Sequence, residues 1–419
     1  MVIILILFLL LGFFISLRNA TSFVIFYILA STKFLGFIDP ASFIIGGVEL
    51  GYFGLNIVTL ISCFFARDWY VLSKKSWFFL IVPLALLVYG VLKPLYDGHS
   101  GFRQALTSSK ELWFYVLFFY LVVNRKYIKQ KKLVKAIKNI GLYLAIILII
   151  GQVNSFILPP YNYNGVFVRV FFPTYISLAL FFTAADFKDL KCSRNEFLLK
   201  FLILVFGLVF AGHFSISIMS VFCVSIIVLA YDRNFILVKK TVVFLVLIFF
   251  LLIVYVILFK NELYLFFIDF IAGVIDGNDS GLSVRDYYNE FRWDAIEKQK
   301  AFGYGFIHQS APLMDTVANS ETNKFMLTLG VIDSGYVDLL VKFGIVGTVV
   351  FSLLYLKYIS LAFFDKTKTW LTFVLVFYLG QYFFVAYTWS VFTFAHGIIP
   401  ACIAVFIIIN NKELETSSQ

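Results

Sequence analysis

The stretch RKYIKQKKLVKAIKNIGLYLAIILIIGQVNSFIL, residues 125–158, decides the fold. Its first part carries Arg125, Lys126, Lys129, Lys131, Lys132, Lys135 and Lys138, and its second part, 139–158, carries no charge. A run of about 20 apolar residues is the length at which a helix crosses the hydrocarbon of a bilayer. A dense basic flank holds its end of such a helix in the cytoplasm. The segment therefore reads as a short cytoplasmic loop feeding a transmembrane helix.

The rest of the chain follows the same pattern. Of its 419 residues 61% are hydrophobic, 20% aromatic and only 14% charged, where a soluble domain carries about 25% charged residues. The mean hydropathy is +0.93. A soluble enzyme, a disordered chain and a fibrous protein are excluded; the expected fold class is all-α, a polytopic membrane protein. The net charge of +10 reports loop asymmetry rather than a nucleic-acid partner. Cys63, Cys223 and Cys402 lie in apolar runs and Cys192 in a basic loop, with no paired spacing, so neither a disulfide framework nor a zinc site is expected.

Apolar runs at 1–17, 20–37, 51–66, 76–96, 105–124, 139–158, 171–185, 197–211, 214–230, 241–259, 335–356, 370–387 and 391–409 predict about thirteen spans. The first lacks a basic leader and a small-residue cleavage site, which predicts a retained helix rather than a signal peptide. With 125–138 inside, alternation puts 22 of the 34 basic residues on or near the inside. The N-terminus is then outside and the C-terminus cytoplasmic. Three regions result: residues 1–259 with spans one to ten, a large external loop over 260–334, and residues 335–419 with the last three spans and a short cytoplasmic tail. No repeat of one half in the other is visible, which weighs against an inverted-repeat transporter.

The 260–334 loop holds eleven of the 24 acidic residues. Its part 261–275 is apolar enough to lie on the membrane surface. Ser283, followed three residues later by Asp286, predicts the start of a helix over about 284–301, stopped by Gly303. Arg285, Asn289, Arg292 and Ile296 share one face of it.

The external arginines are the first candidates for chemistry. Arg103 and Arg169 stand at the outer mouths of two spans, and Arg285 and Arg292 on the loop helix. A guanidinium grips a phosphate through two parallel N–H bonds and stays charged at physiological pH, which suits a lipid pyrophosphate at the membrane surface. Each could instead anchor a helix end by snorkelling. Asp333 closes the large loop three residues before Tyr336; its carboxylate serves either as a general base toward a sugar hydroxyl or, with Ser334, as a helix cap. Asp338 and Lys342, four apart inside the next span, are spaced for an ion pair. Among the four histidines His308, five residues past Gly303, is the best placed, and no metal-ligand spacing links them. External aromatics such as Tyr161, Tyr163, Trp293 and Tyr304 could stack on sugar rings, or serve as interface and lipid-facing bulk. No phosphate-binding glycine loop and no acidic pair for a metal are present, so no cofactor and no metal are expected, and arginine remains as the leaving-group stabiliser.

The order of these features resembles the O-antigen polymerase and ligase superfamily, in particular the Wzy-type polysaccharide polymerases. The resemblance runs from the arginine helix through Phe302-Gly303-Tyr304-Gly305-Phe306 to Asp333-Ser334-Gly335-Tyr336-Val337-Asp338-Leu339-Leu340 and Phe343-Gly344-Ile345-Val346-Gly347. Arg103 and Arg169-Val170-Phe171-Phe172-Pro173 are similar to the family's other external arginine positions. Ligases carry a histidine at the loop–span junction where this chain has Asp333, which favours the polymerase. The resemblance implies that a glycan is transferred from undecaprenyl pyrophosphate to a fresh lipid-linked repeat unit, with inversion, on the outer face of a bacterial cytoplasmic membrane. Arg169 and Arg285, with Arg103 and Arg292, would neutralise the departing pyrophosphate, and Asp333 or His308 would take the proton. Tyr336, Tyr304 and Trp293 would line the sugar site. The implied partners are the lipid-linked oligosaccharide, membrane lipid and a polysaccharide chain-length regulator. An O-antigen ligase and a lipid-linked oligosaccharide flippase are the rival expectations.

Overall fold

A computed structural model describes residues 2–35, 44–45, 48–65, 74–153, 162–163, 167–168, 172–229, 292–293, 295–308, 311, 334–365 and 369–416. Thirteen α-helices carry the description: α1 (Val2–Arg18), α2 (Ala20–Ser31), α3 (Leu50–Phe64), α4 (Lys74–Tyr96), α5 (Phe102–Ser108), α6 (Val116–Val123), α7 (Gln130–Val153), α8 (Pro173–Lys188), α9 (Arg194–Phe210), α10 (Phe214–Leu229), α11 (Gly335–Phe363), α12 (Trp370–Val385) and α13 (Ala395–Thr416). The strands are two-residue ladders, Ile44–Ile45 with Val48–Glu49 and Asn162–Tyr163 with Phe167–Val168. The expected run 241–259 and most of the large loop lie outside the described residues.

Among the described residues three helices, Lys75–Tyr96, Gln130–Gly151 and Gly335–Phe363, are long and apolar enough to cross a membrane. The bent pair Phe102–Ser108 and Leu112–Val123 makes a fourth if it forms one span, and six shorter apolar helices accompany them. Large apolar side chains are exposed along α1 (Ile3, Leu7, Leu11, Phe14) and α4 (Ile81, Leu84, Val88, Leu92), as lipid-facing helices require. This is the architecture of a multi-pass membrane protein.

α8 is buried on every side from Pro173 to Ala185, which marks it as the centre of its bundle. It packs on α7, α9, α10 and α12. Close approach depends on small residues: a Cβ on Gly141 would fall 2.4 Å from Ala179 Cβ, and one on Gly207 would fall 2.3 Å from Ala145 Cβ. Buried polar groups then tie the helices. Gln381 donates to Ser177 Oγ at 2.9 Å and accepts from Ser220 Oγ at 2.9 Å, linking α8, α10 and α12. Such bonds between helices act as glue where no hydrophobic difference separates lipid from protein. Lys138 of α7 pairs with Asp186 of α8, and Lys188 Nζ donates to Val228 O of α10 at 2.9 Å, so the basic ends of these helices share one side.

Three expected spans change shape. The helix does not wait for the end of the basic segment: α7 starts at Gln130 and its first turns carry Lys131, Lys132, Lys135 and Lys138. The run 105–124 is not continuous. α5 stops at Ser108, Leu112–Tyr115 form a 3₁₀ turn leading into α6, and the two halves meet at 60°. The run 391–409 becomes a turn over 386–394 before α13 begins at Ala395.

Candidate functional site

The site is organised by a break in α11. Gly344 has φ 63 and ψ −168 inside the helix. The ladder bonds that would join Ile345 and Val346 to the carbonyls of Val341 and Lys342 are replaced by bonds to another segment. Ile345 N donates to Lys300 O at 2.9 Å and Val346 N to Ala301 O at 3.1 Å. Tyr304 N donates to Val341 O and Gly305 N to Lys342 O, both at 2.8 Å. Two helix bonds are thus exchanged for four, and residues 300–305 are inserted into the opened helix. Every freed backbone group finds a partner, the condition for a break at membrane depth.

The inserted turn is also fixed to α4. Phe306 N donates to Gly90 O at 2.7 Å, and Tyr89 OH donates to Phe302 O at 2.7 Å. Gly303 and Gly305 have φ of 68 and 75, the region open to glycine at little cost. A Cβ on Gly305 would fall 2.6 Å from Gly90 O, and one on Gly90 would fall 2.4 Å from Phe306 Cε2.

Arg292 lies on the described part of the loop helix, over 292–293 and 295–298, and is 7% exposed. Ala295 and Ile296 of this segment pack with Tyr304, Ile307, Val337 and Val341, which seats it on the N-terminal part of α11. Tyr304 is buried, its hydroxyl donating to Ala295 O at 2.9 Å and its ring centred 5.7 Å from that of His99. This ring is therefore part of the packing around the inserted turn. Trp293 is exposed. His308 is half-buried, and burial, followed by the nearby Lys110 ammonium, holds its imidazole below the usual histidine value.

The start of α11 docks on the turn after α12. Ser334 Oγ donates to Tyr387 O at 3.1 Å, Tyr336 N to Ala386 O at 3.2 Å and Tyr336 OH to Phe383 O at 2.7 Å. Ser334 stands at the N-cap, but its side chain caps nothing because the hydroxyl is turned to Tyr387; that half of the capping expectation is corrected. One turn on, Lys342 Nζ lies 2.6 Å from Asp338 Oδ1, and Thr393 Oγ1 donates to Asp338 Oδ2 at 2.6 Å. The expected ion pair forms, and both partners are buried.

Lys110 and Glu111, at the break between α5 and α6, escaped the sequence reading. Glu111 Oε2 accepts from Ala395 N at 2.7 Å, so a carboxylate sits at the positive end of α13. The available signal was a charged pair inside an apolar run, which marks function by default in a membrane helix. Arg103 is exposed at the start of α5, and nothing described joins it to the inserted turn. Asp333, Arg169, Arg285 and Tyr161 lie outside the described residues, as does the side chain of Tyr163. Among the described residues no three metal-ligating side chains gather. Compared with known proteins, the sequence matches no family model and no curated protein.

Proposed function

We propose that the chain is a Wzy-type polysaccharide polymerase of about thirteen spans in a bacterial cytoplasmic membrane, with its N-terminus and its 260–334 loop outside. It transfers a growing glycan from undecaprenyl pyrophosphate to the terminal sugar of a new lipid-linked repeat unit. The acceptor hydroxyl attacks the anomeric carbon from the face opposite the pyrophosphate, the old glycosyl–phosphate bond breaks, and Asp333 or His308 takes the hydroxyl proton. Arg169, Arg285 and Arg292, with Arg103, hold the departing pyrophosphate. The donor bond is already activated, so the reaction calls on neither nucleotide nor metal.

One observation carries this reading. Two of the stretches that carry the family resemblance, Phe302–Phe306 and Phe343–Gly347, are distant in sequence yet belong to one joint, with Tyr304 N on Val341 O and Ile345 N on Lys300 O. A turn and a broken helix that complete each other's hydrogen bonds act as one structural unit. Arg292 and His308 flank the joint on its loop strand.

The test is the length distribution of surface polysaccharide in a strain lacking the gene, with and without the gene restored. A single repeat unit without it and a ladder with it fits a polymerase. Loss of all surface glycan with long polymer left on the lipid carrier means an O-antigen ligase. Repeat units held on the cytoplasmic face mean a flippase.

A further inference from the structure

We infer that the lysines at the start of α7, Lys131, Lys132 and Lys135, with Lys129 and Arg18 beside them, form a binding site for an anionic phospholipid in the leaflet on their side of the membrane. The inference stands on the multi-pass architecture alone and does not depend on the polymerase reading.

The basic segment is folded into place. Thr21 Oγ1 donates to Tyr127 O at 3.4 Å and accepts from Lys129 N at 2.8 Å. Thr21 lies in the first turn of α2, three residues after Arg18, which ends α1. Ile128 and Gln130 are buried on either side of Lys129. The cations themselves stay outside: Arg18, Lys129, Lys131, Lys132 and Lys135 are all exposed. A charge that only orients the chain in the membrane needs no fixed backbone. Cations held at set positions by three elements are preorganised for a ligand that carries the opposite charge.

The protein does not neutralise them. The acids near this end of the bundle are engaged with other lysines: Asp186 with Lys138, Asp189 with Lys191 and Glu196 with Lys200. Among the described residues, none of Arg18, Lys129, Lys131, Lys132 and Lys135 meets a carboxylate.

The helix face that carries the lysines shows what kind of anion fits. Lys132, Lys135, Asn139, Tyr143 and Ile150 follow one another at spacings of 3, 4, 4 and 7, which keeps them on one face of α7. Tyr143 is 57% exposed and Ile150 42%. The opposite face, with Leu133, Ile137, Leu144 and Leu148, is buried, where α7 packs on α2, α8 and α9. The ammoniums therefore end an apolar stripe that is turned away from the protein. A phospholipid matches both parts, with its phosphate at the lysines and its acyl chains along Tyr143 and Ile150. A free phosphate would use the charges and leave the stripe uncovered. Basic clusters beside a span attract anionic headgroups, and the attraction is screened by salt.

The experiment is native mass spectrometry of the full-length protein in detergent, titrated with phosphatidylglycerol and with phosphatidylcholine of the same acyl chains. The wild type is expected to prefer phosphatidylglycerol by at least about fivefold, the effect of one well-placed ammonium at a membrane surface. The triple variant Lys131→Gln, Lys132→Gln, Lys135→Gln is expected to lose that preference, and the triple arginine variant to keep it. Because the three side chains are exposed, both variants are expected to melt like the wild type. Lys200→Gln, which removes a lysine already paired with Glu196, is expected to bind like the wild type. No preference in the wild type, or an unchanged preference in the glutamine variant, overturns the site. An equal loss in Lys200→Gln reduces the effect to net charge and overturns it as well. Binding of glycerol phosphate as tight as that of phosphatidylglycerol overturns the assignment to a lipid.

Discussion

Gly303 and Gly344 lie against each other with no room for a side chain on either. A Cβ on Gly303 would fall 2.6 Å from Gly344 N, and one on Gly344 would fall 2.4 Å from the carbonyl oxygen of Ala301. Both residues have positive φ, 68 and 63. This contact lets residues 300–305 enter the opened α11, and it turns two short motifs into one joint.

Gly303→Ala and Gly344→Ala should each open that joint. The left-handed backbone alone costs a non-glycine residue roughly 1–2 kcal/mol, and the overlap adds to it. The expected result is a lower melting temperature in detergent and little or no polymer. Unchanged melting and full polymer from Gly344→Ala would contradict the insertion. As a control, Gly380→Ala, where a Cβ meets nothing within 4 Å, should melt like the wild type.

Asp338 and Lys342 should behave as a couple. Removing one partner of a buried ion pair strands the other charge, at about 3–5 kcal/mol. Asp338→Asn and Lys342→Met are each expected to destabilise strongly, and the double substitution to destabilise less than either. Additive losses in the double-mutant cycle would show that the two do not interact.

Arg292, Arg285 and Arg169 should each be needed for polymer but not for reaching the membrane. Alanine at any of them is expected to leave single repeat units, and lysine to recover little, because an ammonium loses the two-pronged grip. Ladders of normal length from all three alanine variants would remove arginine from the mechanism.

His308 sets an expected pH dependence. Its folded-state value is depressed, first by burial and then by Lys110, so the neutral imidazole persists below histidine's usual value of about 6.5. The stability linked to it is present above the unfolded value and is lost as pH falls through the folded one. If His308 accepts the proton, polymer formation should fall off below pH ~6.5 rather than at it. Lys110→Gln should move that limb upward, and only in part, since burial is the larger cause. No movement of the limb would separate Lys110 from His308, and a limb unchanged in His308→Gln would leave the proton to Asp333.

The membrane class was legible because bilayer thickness sets run length and charge sets the flanks, as residues 125–158 illustrate. The Asp338–Lys342 pair was legible too, since spacing of four on a helix is local geometry. What stayed hidden depends on contacts between distant segments. Lys110 and Glu111 lie inside the apolar run 105–124, and only the bend there places Glu111 on Ala395. Gly344 stands in the stretch Phe343–Gly347 that carries the resemblance, but nothing in the sequence marks it as a helix break, because a break is decided by the segment that fills it. Tyr304 reads as an external aromatic, and its burial against Ala295 was not legible because it depends on the turn that carries it.

The most direct test of the central claim uses the purified protein in vesicles with its lipid-pyrophosphate-linked repeat unit as the only substrate, in the presence of a metal chelator. The account predicts a ladder of longer lipid-linked glycans and one released lipid pyrophosphate per unit added, both absent with Arg292→Ala. A substrate that stays one unit long, or that crosses the bilayer intact, would contradict it.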